Sequence, residues 1–268
     1  MRKKYFPLLL LSYFVLLMVN CDKHRKILRV SHIHVDSLSQ IILIEDSLVK
    51  PVTYSQIHGL ANVPVTEAKR IFISALLPAI LIAKHHIKEN QVQLHELSNK
   101  KKWTTEDSAF YHLMKQVYKV SDLESLLSRL TTLPNSIVLG QAALESGWGQ
   151  SRFFREANNI FGMWSYNEKE PRLRASLKRE NGHIHVRVYD DFSQSVDDYF
   201  KTLATARAYR SLREALQETS EVDKLIPHLK YYSERRMEYV NQLKKVIDQN
   251  NLTQYDHYRI DPEYLVAP

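Results

Sequence analysis

Glycine is scarce, with 6 among 268 residues. So few argue against a glycine-rich β-sandwich and against a nucleotide-binding α/β fold, and they favour helices. Only one cysteine is present, which excludes a disulfide framework and a cysteine-based zinc site. Internal repeats and low-complexity blocks are absent. No apolar run reaches the roughly 20 residues of a comfortable bilayer span, so a polytopic membrane protein is excluded as well. What remains is a chain with 44% hydrophobic and 25% charged residues, long enough for one large domain or two small ones. Aromatic mass is ample for a core and a cleft, with 15 Tyr, 9 Phe and 3 Trp. The net charge of +7 points to an anionic partner: nucleic acid, a membrane surface or an acidic polymer.

The N-terminus reads as an export signal over residues 1–21. Arg2, Lys3 and Lys4 form a basic start, and Tyr5 to Val19 is an uncharged apolar run too short to span a bilayer comfortably. Its end, Met18-Val19-Asn20-Cys21, resembles a bacterial lipobox, in which the cysteine is lipidated after cleavage. An ordinary signal peptide or an uncleaved anchor would export the chain equally. Residues 22–60 show no strong helical period and read as a tether and a short packed arm.

Helical periodicity then takes over. Thr66-Glu67 leads into Ile71, Phe72, Ala75, Leu76, Ala79, Ile80, Ala83 and Ile87, spaced by three or four, with Pro78 expected to kink the helix. Thr105 or Ser108 starts another helix and Asp122 a third. Pro134 opens a fourth, on which Glu145 follows Val138 and Ala142 along one apolar stripe. A carboxyl there is poorly solvated and lies at the negative end of its helix. Both effects favour the protonated form. Ser146-Gly147-Trp148-Gly149 stops the helix abruptly and opens backbone space beside the carboxyl, as a general acid at the lip of a cleft requires.

The string from Gln141 to Gly149, QAALESGWG, followed by Asn158-Asn159-Ile160-Phe161-Gly162, resembles the bacterial N-acetylglucosaminidases of autolysin and flagellar-hydrolase type. Gly162-Met163-Trp164 resembles their Bax-like branch. The resemblance extends over about residues 61–250, with 251–268 left as a tail. It implies a mainly α (α+β), lysozyme-like helical globule with a small β-hairpin lobe beside the cleft. It also implies cleavage of β-1,4 bonds in peptidoglycan glycan strands, with Glu145 as the catalytic acid. Trp148, Asn159, Phe161 and Trp164 then become substrate-binding candidates, as does Tyr232 of the string Tyr231-Tyr232-Ser233-Glu234-Arg235. A lytic transglycosylase, or a binding scaffold that has lost turnover, are the competing readings.

A hairpin is expected around Asn181-Gly182. That turn would pair Glu180 with His183, Lys178 with His185, Ser176 with Arg187 and Arg174 with Tyr189. Arg174, Arg187 and Tyr189 then sit on a polar face, which either lines a groove for lactyl or stem-peptide carboxylates or is simply solvated. Glu180 is the candidate second carboxylate. Asp191 or Ser193 more plausibly caps the next helix than catalyses. The N-acetyl group of the substrate could replace a protein nucleophile.

No cofactor is expected, and no metal: His85-His86 and His183-x-His185 lack a third ligand at a familiar spacing. No nucleic-acid motif accompanies the positive charge, which is assigned to anionic cell wall and phospholipid. The chain is expected to act as a monomer in the cell envelope, held to the membrane by an N-terminal lipid and facing the periplasm. Labelled palmitate should enter the full precursor and be lost from its Cys21→Ala variant. Incorporation into that variant would rule out lipidation at Cys21.

Overall fold

The computed structural model describes residues 26–179 and 182–267. Cys21, Glu180 and Asn181 lie outside the described residues, as does the export signal. The architecture is mainly α with small two-stranded sheets, as expected. No helix among the described residues is long and apolar enough to cross a membrane.

The first helix, α1 (Val65–Asn99), is the axis of the molecule. Ile71 to Ala83 are all buried, so this stretch of α1 is covered on every side. It is continuous through Pro78. Proline brings no N–H to the carbonyl four residues back, that of Ser74. The Ser74 hydroxyl in turn accepts from the backbone N–H of Ile44 at 3.2 Å.

The next helices begin where short polar side chains satisfy free N–H groups. Thr104 and Asp107 form a reciprocal capping box at the start of α2 (Thr105–Tyr118). Asp122 caps α3 (Leu123–Arg129), accepting from Ser125 N at 2.7 Å. Directly after Pro134 comes α4 (Asn135–Ser146), and Ser151 caps α5 (Arg152–Ala157). Asp191, rather than Ser193, caps α6 (Phe192–Thr205). The chain closes its helical body with α7 (Arg210–Glu218), α8 (Val222–Leu225) and α9 (Met237–Gln249). α4 packs between α1 and α9, with Ile137, Val138 and Ala142 fully buried.

The two ends of the described chain meet. In the arm, β1 (Ile27–Leu28), β2 (Ser31–His34), β3 (Leu48–Val49) and β4 (Val52–Ser55) are short, and β2 pairs in parallel with β4. Tyr54 of β4 is fully buried and its hydroxyl accepts from Ile42 N at 2.9 Å. The hairpin lobe follows as β5 (Arg172–Arg179) and β6 (Gly182–Arg187). At the C-terminus, β7 (Arg259–Ile260) joins β3, and β8 (Leu265–Val266) joins β1. Asp256, in the same terminal segment, accepts from Ser136 N at 2.7 Å and from the Ser136 hydroxyl at 2.8 Å, capping α4 from a distance in sequence.

The hairpin register differs from the expected one. Gly182 is a strand residue opposite Arg179, Lys178 faces His183, and Arg174 faces His185. Half of the shift is already present on the turn side, where Lys178 faces His183 instead of His185. A bulge adds the rest: between Arg174 and Lys178 β5 advances four residues while β6 advances two. β6 is also fixed along its other edge, where Arg187 N donates to Met163 O at 2.9 Å and Ser165 N to His185 O at 2.8 Å.

Gly149 adopts φ +81°, and a Cβ there would lie 2.6 Å from Leu60 Cδ1 and 3.0 Å from Phe154 Cε1. Gly149→Ala should therefore destabilise the fold by about 1–3 kcal/mol, from overpacking together with left-handed backbone strain. Urea unfolding measures this, and an unchanged midpoint would contradict the packing described.

Candidate active site

Three consecutive left-handed residues end α4: Gly147 (φ 58°), Trp148 (φ 56°) and Gly149 (φ 81°). Trp148 is a bulky side chain in a region few such residues visit. Ser146 holds the turn, its hydroxyl donating to Ala142 O at 2.6 Å and accepting from Gly149 N at 2.9 Å. The Trp148 ring turns to α1, meeting Phe72 edge-on at 5.4 Å with Lys69 Nζ 4.6 Å from its centroid.

Glu145, three residues before Trp148, is half-buried. Burial pushes its carboxyl above the ordinary glutamate range, while a hydrogen bond from Tyr239 and the charge of Arg235 pull the other way. The Tyr239 bond belongs to a chain of buried groups. Tyr199 donates to Gln141 Oε1 at 2.6 Å, and Gln141 Nε2 donates to the Tyr239 hydroxyl at 2.9 Å. Having accepted from Gln141, Tyr239 has its own proton left for Glu145. Gln141 stands one turn before Glu145 on α4, so both reach the same side. Burial pushes the Tyr199 and Tyr239 hydroxyls upward and keeps them neutral donors, and Tyr209 is pushed up to about 12 by burial and by the Glu145 charge.

Two of the expected residues wall this chain. Phe161 stacks on Tyr199 with ring centroids 4.1 Å apart. Tyr232 stacks on Tyr239 at 5.6 Å and donates to Phe161 O at 3.3 Å. Trp164 is 39% exposed, beside Tyr166 at 80%, and bridges to Val186 of β6. Asn159 is committed to the backbone: it donates to Met163 O and Arg187 O at 3.0 and 2.9 Å and accepts from Met163 N. Asn158 likewise accepts from Gln56 N and donates to Tyr189 O and Asp190 O. This Asn-Asn pair ties the arm and the β-lobe to the end of α5.

The hairpin cations Arg187 and Arg174 have different surroundings. Arg187 donates to Asp198 Oδ2 at 2.6 Å and lies 3.5 Å from Glu170. Tyr189 donates to the same Asp198 oxygen at 2.6 Å. These groups line a pocket with His86, Asp197 and Lys201, on a flank of α6 that Tyr199 does not occupy. Arg174 is exposed and reaches the His183 ring. The residues that sequence reasoning missed are Tyr239, Tyr199, Tyr209 and Arg235. Gln141 stood inside the string without a role.

Followed by carboxyl NMR, Glu145 should titrate above an ordinary glutamate. Tyr239→Phe removes a donor to the carboxylate, so the value should rise further. A fall, or no change, would show that Tyr239 does not donate to it.

A family model described as mannosyl-glycoprotein endo-beta-N-acetylglucosaminidase matches residues 122–252. Protein bax of Escherichia coli K12 is 29% identical over 202 residues, which are 69% of this chain and 70% of bax. The peptidoglycan hydrolase FlgJ of the same strain is 29% identical over 148 residues, 48% of this chain and 46% of FlgJ, so less than half of FlgJ is spanned. The autolysin Auto catalytic domain from Listeria monocytogenes overlaps at a TM-score of 0.40 and 22% identity, over 60% of this chain and 94% of that one. The matched segment begins at the cap of α3 and ends just after α9, and so holds Glu145, Gln141, Tyr199 and Tyr239 together. Through that segment the chain is similar to the mannosyl-glycoprotein endo-beta-N-acetylglucosaminidase family.

Proposed function

We infer that this protein is a peptidoglycan hydrolase cutting the β-1,4 bond of the glycan strand after N-acetylglucosamine. The observation that carries the reading is Glu145: a carboxyl biased toward its protonated form by burial, at an abrupt helix end, with neutral donors behind it. The match to the family model and the resemblance to a named peptidoglycan hydrolase support the same substrate class.

In this reading Glu145 gives its proton to the glycosidic oxygen as the bond to the anomeric carbon breaks. The carboxylate that forms is stabilised by the Tyr239 hydroxyl, oriented through Gln141 and Tyr199, and by the Arg235 charge. Water then completes hydrolysis at the anomeric carbon, assisted by Glu180 or by the substrate's own acetamido oxygen. Trp164 and Tyr166 offer exposed aromatic faces for sugar rings. The chain works as an exported monomer in the envelope, tethered through Cys21.

Glu145→Gln is nearly isosteric and removes only the transferable proton. Release of reducing ends from purified wall should fall by about 10²–10⁴-fold, while co-pelleting with wall persists. A variant that digests wall near the wild-type rate would overturn the assignment.

A further inference from the structure

The hairpin does not leave Arg187 free to read substrate charge, since Asp198 and Glu170 already hold it. Two cations with no carboxylate partner among the described residues lie on the segment between Leu229 and Met237. We propose that Lys230, Tyr231 and Arg236 form a carboxylate-binding subsite for the anionic groups of the glycan strand, an inference that rests on the hydrolase reading and names what its site recognises.

Tyr231 is 48% exposed, and both cations stand over its ring, Lys230 Nζ at 5.2 Å and Arg236 Cζ at 5.0 Å from the centroid. An aromatic face holds each cation in place without neutralising it. Among the described residues neither Lys230 nor Arg236 pairs with a carboxylate, whereas neighbouring Arg235 is shared with Glu238 at 3.4 Å. Arg236 adopts φ 51° and ψ −117°, a sparsely populated conformation for a side-chain-bearing residue. Its backbone N–H donates to Ser233 O at 3.1 Å, and its guanidinium donates to the same oxygen at 3.3 Å. The segment therefore spends backbone strain on presenting a cation.

The place is beside the reacting centre. Tyr232 stacks on Tyr239, the donor to Glu145, and the Arg235 charge acts on Glu145 itself. In this proposal a strand seated with its glycosidic bond at Glu145 extends past Tyr232 to the adjoining Tyr231. Guanidinium and ammonium groups so placed match a carboxylate by charge-assisted hydrogen bonds. That carboxylate is either the lactyl group of a sugar without peptide or a carboxylate of an attached stem peptide.

The test compares wild type with Lys230→Gln, Arg236→Gln and the double variant on three substrates. These are N-acetylglucosamine oligomers without carboxylates, denuded strands with free lactyl carboxylates, and peptide-bearing strands. The contact is made equally before and during reaction, so KM should rise while kcat holds. The rise should be up to about fivefold for each cation removed, the worth of an exposed ion pair, and should shrink at high salt. A rise on denuded strands alone assigns the lactyl group, and a rise on peptide-bearing strands alone assigns the stem peptide. An equal effect on all three substrates, or none, overturns the subsite. Wild type that opens no strand defeats the parent reading instead, and the variants' salt-dependent pelleting with the same strands then decides the subsite alone.

Discussion

A carboxyl with raised proton affinity has to be taken out of water and still be given partners when it ionises. Glu145 meets both demands at once. Burial pushes its proton affinity up, and the Tyr239 hydroxyl and Arg235 limit the cost of losing the proton. The Tyr239 hydroxyl is useful only in one orientation, which Gln141 sets by donating to its oxygen. Gln141 is held in turn by Tyr199. Three helices therefore have to meet within hydrogen-bond tolerance: α4 with Gln141 and Glu145, α6 with Tyr199, and α9 with Tyr239.

Much of the remaining structure serves that meeting. α4 is nearly all buried and is fixed at both ends. Asp256 and the Tyr255 carbonyl bind its first residues through Ser136 and Asn135, and the left-handed turn at Gly147 to Gly149 closes the other end. The terminal segment that supplies Asp256 is itself held by strand pairing to the arm. On the far side, Asn158 and Asn159 bind backbone of the arm and of the β-lobe, so the lobe is referenced to the same helical frame. Arg187, Tyr189 and Asp198 extend that reference, joining β6 and the residues after it to α6 through one shared carboxylate oxygen.

Local chemistry was readable in the residues. The caps at Asp122 and Asp191 depend on a side chain and N–H groups three residues away, so the sequence carries the whole interaction. The apolar stripe leading to Glu145, the glycines after it and the resemblance they carry placed the candidate acid. Non-local chemistry was not readable. The hairpin register depends on a bulge and on residues 163–165 pairing with the outer edge of β6, which no alternation within the hairpin announces. Arg187 looked available because Asp198 and Glu170 reach it only in the folded chain. Tyr239 lies far from Glu145 in sequence, and its one trace is the excess of tyrosine. For the same reason residues 251–268 read as a tail, although Asp256 caps the helix that carries Glu145.

The central claim concerns which bond is cut and how the new end is made, and product chemistry tests it most directly. Purified peptidoglycan digested with the protein and analysed by mass spectrometry should yield new reducing N-acetylglucosamine ends, formed by addition of water. Anhydro-muramic ends would replace hydrolysis by intramolecular transfer, reducing muramic ends would move the cut to the other linkage, and the absence of new ends would reduce the protein to a binder. Any of these three results would contradict the account.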